Sequence, residues 1–256
     1  MTRPLVEFLS MTFRERHFTG APLVLPNAWD AASARIIERA GAEAIATTSA
    51  GVAWSLGAQD GDRLDADAAV AAAARIVRAV DVPVTADIES GYGDVARTVR
   101  LVRDAGAAGI NVEDGRVAAP ERIAAARAAG GDLFVNARID TFLLSAGGVD
   151  ETVARAKVYV DAGADGVFVP GVHDPDVIAE LVTRIPAPVN VMAGPGAPSV
   201  AALAGLGVRR VSVGPAIAVA AYSLVSAAAA EILAHGTYGG TDAVLTHGDL
   251  NGCFAH

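Results

Sequence analysis

Short runs of β-branched residues alternate with alanine-rich stretches of helical spacing along almost the whole chain. Glycine marks several of the joints, as at Gly41, Gly106 and Gly163, where it ends a helix in the left-handed conformation without steric cost. The alternation predicts eight β-then-α units. Their strands are predicted at Pro22–Leu25, Ala44–Thr48, Val82–Ala86, Gly109–Val112, Leu133–Asn136, Gly166–Val169, Pro188–Met192 and Arg210–Val213.

Eight right-handed crossovers in a row suit an α/β protein with a (β/α)8 TIM barrel. We expect a single domain over residues 1–256, with a core at about 20–235 and a C-terminal tail at about 236–256. A doubly wound open sheet is the alternative. It is disfavoured because no Gly-x-Gly-x-x-Gly turn follows the first strand.

Composition restricts the partners. The chain has 29 acidic and 20 basic residues, a formal net charge of −9, so neither nucleic acid nor an anionic membrane is expected to bind. A single cysteine, Cys253, allows no disulfide within the chain and favours a cytoplasmic location, and Met1–Pro4 leads into a polar segment that does not resemble a signal peptide. The uncharged stretch from Val211 to Ala230 is predicted to form a strand and a buried alanine-rich helix rather than a membrane span.

Lysine chemistry is similarly restricted, because Lys157 is the one lysine in the sequence. A Schiff-base aldolase needs a lysine at the end of a barrel strand. Lys157 is predicted to lie in the middle of a helix and to face away from the active-site end, which disfavours an aldolase.

Three acidic residues are predicted to meet where the active site of such a barrel lies, at the C-terminal ends of its strands. Asp87 and Glu89 follow one strand, and Glu113 follows the next. Oxygen ligands without clustered histidine indicate Mg2+, or alternatively Mn2+. The competing interpretation is that these acids cap helices or pair with nearby arginines.

Arg138 ends the following strand, where its guanidinium is placed to bind a substrate carboxylate or phosphonate. A structural ion pair with Glu113 or Asp140 is an equal alternative. The turn at Thr48, Ser49, Ala50 and Gly51 offers backbone N–H groups to a developing oxyanion.

These residues lie in a pattern that resembles the isocitrate lyase/phosphoenolpyruvate mutase family. Asp87–Gly93 reads Asp-x-Glu-x-Gly-Tyr-Gly and is followed at a typical spacing by Glu113-Asp114. The resemblance extends from about residue 5 to about residue 240, and its other segments are Leu25–Asp30, Thr48–Ala53 and Asn136–Asp140.

The resemblance implies a barrel that binds Mg2+ and a small 2-oxo acid or enolpyruvate-type substrate, often as a tetramer of swapped-helix dimers. It implies that Asp87 is the principal metal ligand and that Glu89 and Glu113 act through water. Further roles that it implies are substrate binding by Trp29, Thr48, Ser49, Ala50, Asn136 and Arg138, and catalysis by Asp60, Glu113 and Arg138.

One departure from the family limits the mechanism. Family lyases carry a Lys-Lys-Cys-Gly-His-type loop after the Glu-Asp pair, and the mutase and phosphonopyruvate hydrolase branches tend to carry Lys and Asn there. Here Asp114 is followed by Gly115–Pro120, which contains none of these residues. Among reactions that cleave or form a C–C or P–C bond beta to the carbonyl through a metal-stabilised enolate, decarboxylation of an oxaloacetate-like acid tolerates the loss of the loop cysteine best.

An oxaloacetate-type decarboxylase or lyase, related to 2-methylisocitrate lyase, is therefore the leading hypothesis. Phosphoenolpyruvate or phosphonopyruvate mutase or hydrolase activity is one alternative. A barrel that binds a 2-oxo acid without turnover is the other. In each case a homodimer or homotetramer is expected.

Overall fold

The computed structural model describes residues 11–255. Residues 1–10, which include Met1–Pro4, and residue 256 lie outside the described part. The prediction that the N-terminus is no signal peptide therefore stays a prediction.

Nine parallel strands form a sheet that closes on itself as a TIM-like barrel with helices between the strands. All eight predicted strands are present. After Pro26 the structure adds a short strand that was not predicted, β2, so that β1 pairs with β9 and β2 pairs with β3. The strands are β1 Leu23–Leu25, β2 Asn27–Ala28, β3 Ile45–Thr47, β4 Val84–Asp87, β5 Gly109–Glu113, β6 Phe134–Arg138, β7 Gly166–Val169, β8 Val189–Met192 and β9 Arg210–Ser212.

Asn27 closes the seam of the barrel beside Pro26. Its Oδ1 accepts hydrogen bonds from the backbone N–H groups of Val213 and Gly214, both at 2.9 Å, and its Nδ2 donates to the Thr47 carbonyl oxygen, also at 2.9 Å. The buried amide therefore joins β2 to the strands on both sides, and the barrel confirms the predicted fold.

Ten α-helices occur in the described residues, several of them begun by an aspartate whose side chain accepts a backbone N–H, as at Asp30, Asp65 and Asp94. The helices are α1 Ala31–Arg39, α2 Ser49–Ser55, α3 Ala66–Ala79, α4 Val95–Asp104, α5 Pro120–Gly130, α6 Val149–Asp161, α7 Pro175–Arg184, α8 Val200–Gly205, α9 Ala216–His235 and α10 His247–Gly252. Short 3-10 helices cover Glu15–His17 and Gly239–Thr241.

The inside of the barrel changes character along its axis. At the N-terminal ends of the strands, Phe13, His17 and Phe134 close the barrel, and we call these three residues the floor. Above them lies a buried polar layer in which Asn136 donates to Asn111 (2.9 Å) and Asn190 (3.2 Å), and Arg210 donates to Asn111 (3.0 Å). The charged side chains lie beyond this layer, at the C-terminal ends of the strands.

The expectation of a buried alanine-rich helix after the last strand is wrong for the single chain. The predicted helix is α9, and Ala218 is its one buried residue. Leu224, Val225 and Leu233 are 57%, 63% and 87% exposed, because the helix extends past the barrel with apolar residues on all sides. Among the described residues, α9 is also the one helix that is long and apolar enough to cross a membrane.

Lys157 lies on α6 and is exposed, as predicted. Because α6 is the helix that connects two barrel strands, Lys157 does not lie at a strand end, and the mouth of the barrel contains no lysine within the described residues.

The tail contains α10, after which the Cys253 carbonyl oxygen accepts a hydrogen bond from Arg35 Nε at 2.9 Å.

Candidate active site

The ends of β4, β5 and β6 bring a cluster of charged side chains together at one end of the barrel. Asp87 ends β4, Glu113 ends β5 and Arg138 ends β6, and the strand register pairs Glu113 with Arg138. Neighbouring residues in a parallel register point to the same side of a sheet. Asp87 pairs with Asn111, which lies two residues before Glu113 on β5, so all three side chains point to the same side. We call this end of the barrel the mouth and define it by Asp87, Glu89, Glu113 and Arg138.

Asp87 is held by hydrogen bonds from three directions. Its Oδ2 accepts from Ser49 Oγ (3.2 Å), its Oδ1 accepts from the Glu89 backbone N–H (3.2 Å), and its own N–H donates to Thr47 Oγ1 (2.8 Å). Burial raises the pKa of Asp87, although the guanidinium of Arg138 opposes that shift.

Glu89 has a left-handed backbone, and its carboxylate contacts the loop that contains Asp62. Its φ of 49° lies in the left-handed region, which costs energy for a residue other than glycine and often marks a functional site. Its carboxylate accepts hydrogen bonds from the Asp62 backbone N–H and from Tyr92 Oη, the latter at 3.2 Å. Burial raises the pKa of Glu89 to about 7, and the charges of Asp60 and Asp87 add to the shift.

Glu113 and Asp140 both form ion pairs with Arg138. Arg138 Nη1 lies 2.8 Å from Glu113 Oε2, and its Nε lies 2.7 Å from Asp140 Oδ1. The ion pairs that the sequence left as an alternative are thus both present. Burial nevertheless raises the pKa of Glu113 to about 8, because Arg138 only partly offsets desolvation and the charges of Asp87 and Asp140 oppose a further anion.

The predicted backbone donors lie at the first turn of α2. Thr48 occupies the N-cap position but its side chain makes no capping hydrogen bond, and Ser49 and Ala50 begin the helix. The first N–H groups of a helix have no partner within it and favour an anion. They lie beside Asp87, which Ser49 contacts directly.

The remaining predicted residues are more widely spread. Asp60 is exposed on the loop between α2 and α3, near enough to raise the pKa values of Asp87 and Glu89. Trp29 follows β2, with its ring 6.3 Å from that of Tyr222 on α9. Asn136 lies in the buried layer, one layer beneath Arg138 on β6, and the structure does not bring it into the cluster of acids.

The donor set suits a hard divalent cation. None of Asp87, Glu89 and Glu113 caps a helix, and their pKa values are raised chiefly by burial, with a smaller contribution from the neighbouring acids. Yet no three acidic, histidine or cysteine side chains among residues 11–255 are arranged to hold a metal directly. Glu89 faces Asp62 and Glu113 faces Arg138, which fits one direct ligand, Asp87, and two that act through water.

Sequence reasoning missed two groups of residues around the mouth. Asp62, Ser90 and Tyr92 hold Glu89, with Ser90 Oγ donating to Asp62 Oδ2 and the Tyr92 N–H donating to Asp62 Oδ1 at 3.3 Å. Asp114 was noted but given no function, although it is buried and accepts hydrogen bonds from Arg155 and Tyr159 on α6. The four-residue spacing of Arg155 and Tyr159, which puts both on one face of a helix, was an available signal.

A closed parallel barrel with carboxylates and an arginine at the C-terminal ends of its strands defines a (β/α)8 barrel with the architecture of an enzyme. Residues 13–233 match the phosphoenolpyruvate phosphomutase family. An uncharacterized protein of Mycobacterium tuberculosis (strain H37Rv) is 44% identical over 213 residues, which are 80% of this chain and 82% of that one. The 2,3-dimethylmalate lyase of Eubacterium barkeri is 34% identical over 195 residues, which are 68% and 67% of the two chains.

Solved structures of similar proteins indicate the same family. A Burkholderia cenocepacia J2315 protein described as a lyase or mutase superposes with a TM-score of 0.89 and 42% identity, covering 96% of this chain and 95% of that one. A phosphonopyruvate hydrolase in complex with oxalate and Mg2+ superposes with a TM-score of 0.82 and 26% identity, covering 95% of each chain. The chain belongs to the isocitrate lyase/phosphoenolpyruvate mutase family, whose members are lyases and phosphomutases that act on small oxo acids.

Proposed function

We propose that this protein is a Mg2+-dependent enzyme that cleaves or forms a bond beta to the carbonyl of a small 2-oxo acid, with an oxaloacetate-type decarboxylation or lyase reaction as the leading activity. The observation that carries the proposal is the excess of buried negative charge at the strand ends. Asp87, Glu89 and Glu113 converge there, and Arg138 is the arginine that pairs with Glu113. Mn2+ is the alternative ion.

Each side chain has a definite task in this proposal. Asp87 would hold the cation directly, with Glu89 and Glu113 binding its water ligands. The bound cation supplies a Lewis acid that favours negative charge developing on the substrate's oxo oxygen. Arg138 binds the substrate carboxylate, and the N–H groups at the start of α2 donate to the same anion, with Ser49 orienting Asp87.

The loop after β5 favours decarboxylation over the other lyase reactions. Gly115–Pro120 contains no cysteine, histidine or lysine to deliver a proton to a departing fragment. Loss of carbon dioxide needs no proton on the leaving group, so it depends least on such a residue. Asp60 is the exposed acid near Asp87 that remains to exchange a proton with the product.

Calorimetric titration with oxalate, an enolpyruvate mimic, tests the proposed site. We expect Mg2+-dependent binding that Asp87→Ala abolishes. Asp132→Ala serves as the matched control, because Asp132 is an exposed carboxylate at the opposite end of the barrel, just before β6. Equal oxalate affinity in the Asp87→Ala and Asp132→Ala proteins would contradict the proposal.

The reaction itself is tested with a panel of oxaloacetate, phosphoenolpyruvate, phosphonopyruvate and 2-methylisocitrate in the presence of Mg2+. Carbon and phosphorus NMR separate decarboxylase, mutase, hydrolase and lyase products. The missing loop residues keep one other function open, a barrel that binds a 2-oxo acid without turnover. Tight oxalate binding with no product from any of the four acids would favour that function.

A homodimer or homotetramer formed through α9 belongs to the same proposal. A helix that is apolar on all sides is ordinarily covered, and α9 exposes Leu224, Val225 and Leu233. Light scattering without detergent tests this: Leu224→Glu should shift the protein toward the monomer, and Val244→Glu in the exposed tail should not. Binding of the protein to lipid vesicles would instead contradict the proposal that α9 forms a contact between copies of the chain. A cytoplasmic location remains a prediction.

A further inference from the structure

We infer that Asp114, Arg155 and Tyr159 form a positioning network that orients Arg138 and holds the loop after β5 in one conformation. The network lies outside the set of residues that would touch the cation or the substrate. The part of the inference that concerns Arg138 rests on the proposed function, in which Arg138 binds the substrate carboxylate.

Asp114 connects the network to the mouth. Its Oδ1 accepts a hydrogen bond from the Asp140 backbone N–H at 3.0 Å, and Asp140 in turn holds Arg138 Nε at 2.7 Å. Its Oδ2 accepts from Arg155 Nη1 at 2.9 Å and from Tyr159 Oη at 2.7 Å. The two oxygens of one carboxylate thus join α6 to the arginine at the end of β6.

The same side chains of α6 hold the loop between β5 and α5. Arg155 Nη2 donates to the Arg116 carbonyl oxygen at 3.0 Å, and its Nη1 donates to that of Gly115 at 3.4 Å. Tyr159 Oη accepts the Ala119 backbone N–H at 3.0 Å. Both ends of the loop are therefore bonded to the residues that hold Asp114.

Burial makes the charges of Asp114 and Arg155 depend on each other. The Asp114 side chain is fully buried and that of Arg155 is 6% exposed, so each charge depends on its partner for solvation. Arg155 also pairs with Glu151 at 2.7 Å, which fixes its side chain along α6. A loop held by buried charge-assisted hydrogen bonds keeps its position when a ligand enters, so the orientation of Arg138 is set in advance.

Trypsin reports on the loop without reference to activity. Arg116 is exposed and is followed by Val117, which gives trypsin a cleavage site inside the loop. A loop held at both ends resists cleavage because it cannot extend into the protease. We expect Tyr159→Phe, which removes one hydroxyl, and Arg155→Lys, which cannot reach both carbonyl oxygens, to accelerate cleavage after Arg116 by about tenfold.

Matched controls are present in the chain. Tyr238→Phe alters an exposed tyrosine, and Arg184→Lys alters an arginine of α7 whose ion pairs with Asp150 and Glu180 lie at the surface. Both controls should leave cleavage after Arg116 unchanged, as judged by mass spectrometry of the fragment that begins at Val117. Equal cleavage rates in Tyr159→Phe and Tyr238→Phe would overturn the inference about the loop.

The second readout is oxalate affinity in the presence of Mg2+. If the network orients Arg138, Tyr159→Phe should weaken oxalate binding about three- to tenfold and leave the affinity for Mn2+ alone unchanged, since no metal ligand is altered. If Tyr159→Phe leaves the oxalate affinity unchanged, the network does not orient Arg138, and the inference about positioning is overturned. Failure of the unaltered protein to bind oxalate would refute the proposed function, while the trypsin experiment would still decide on the loop.

Discussion

The two ends of this barrel bury ionisable groups in opposite ways. At the floor, His17 stacks on Phe134 with ring centroids 3.8 Å apart and donates from Nδ1 to the Phe13 carbonyl oxygen. Burial, aided by the charge of Arg210, lowers the pKa of His17 to about 3, so it remains neutral. At the mouth, burial acts on several carboxylates together and raises their pKa values toward neutrality.

Arginines show the same difference. Near the floor, Asp165 is shared between Arg14 and Arg127, so that two cations serve one acid. At the mouth, Arg138 alone pairs with two acids, Glu113 and Asp140, while Asp87 and Glu89 have no ion pair in the described part of the chain. Near the floor the buried acid Asp165 is paired with cations, whereas the mouth contains acids that no cation of the described residues pairs with, and such an end is suited to bind a cation.

Replacement of one arginine at each end gives the largest expected contrast. Arg138→Met should weaken oxalate binding in the presence of Mg2+ by about 100-fold, because a charge-assisted pair to a carboxylate is lost. Arg127→Met should leave oxalate binding unchanged and lower the free energy of unfolding by about 1–3 kcal/mol. Calorimetry and urea denaturation of both variants check this, and similar oxalate affinities would remove the distinction between the two ends.

The difference between the ends was only partly visible in the sequence. The eight strands and the acids that follow them could be predicted, because periodicity and glycine joints are local signals and parallel strands align their C-terminal ends. The direction of each side chain could not. Glu89 faces Asp62 because of its left-handed backbone, and Asp114 faces α6, and both depend on contacts between residues far apart in the chain.

The error over α9 has a different cause. An alanine-rich segment without charge resembles a core helix, and composition does not tell whether the covering surface belongs to the same chain. The structure leaves that helix exposed in the single chain, with Leu233 87% accessible. The sequence of α9 reports that the helix is apolar, and it does not report whether the same chain covers that helix.

The pH dependence of Mg2+ binding is the next contrast. Glu89 and Glu113 have pKa values of about 7 and about 8, and a proton must leave before a carboxylate can bind the cation or its water. Affinity for Mg2+ should therefore rise with pH between 6 and 8, by up to about tenfold per unit for each group that titrates. His17→Phe should not alter that slope, and an affinity independent of pH over this range would contradict the assignment.

Stability of the metal-free protein should depend on pH in opposite senses at the two ends. The lowered pKa of His17 contributes stability that is present above pH 6.5 and is lost as the pH falls toward 3. The raised pKa of Glu113 contributes stability that is present below pH 4.5 and is lost as the pH rises through 8. Each slope approaches about 1.4 kcal/mol per unit. We expect urea denaturation to show that His17→Phe reduces the pH dependence of the free energy of unfolding at acid pH, and that Glu113→Gln reduces it near neutral pH. The opposite assignment of the two effects would refute the comparison.

The smallest contrast concerns a single hydrogen bond at the mouth. Ser49 Oγ donates to Asp87 Oδ2 at 3.2 Å, whereas Ser55 at the other end of the same helix donates to the Val52 carbonyl oxygen at 2.8 Å. Ser49→Ala should weaken Mg2+ binding about three- to fivefold, since a net hydrogen bond is worth about 1 kcal/mol, and Ser55→Ala should leave it unchanged. If both variants weaken Mg2+ binding equally, Ser49 acts through the stability of α2, and the orientation of Asp87 depends on Thr47 and Glu89 alone.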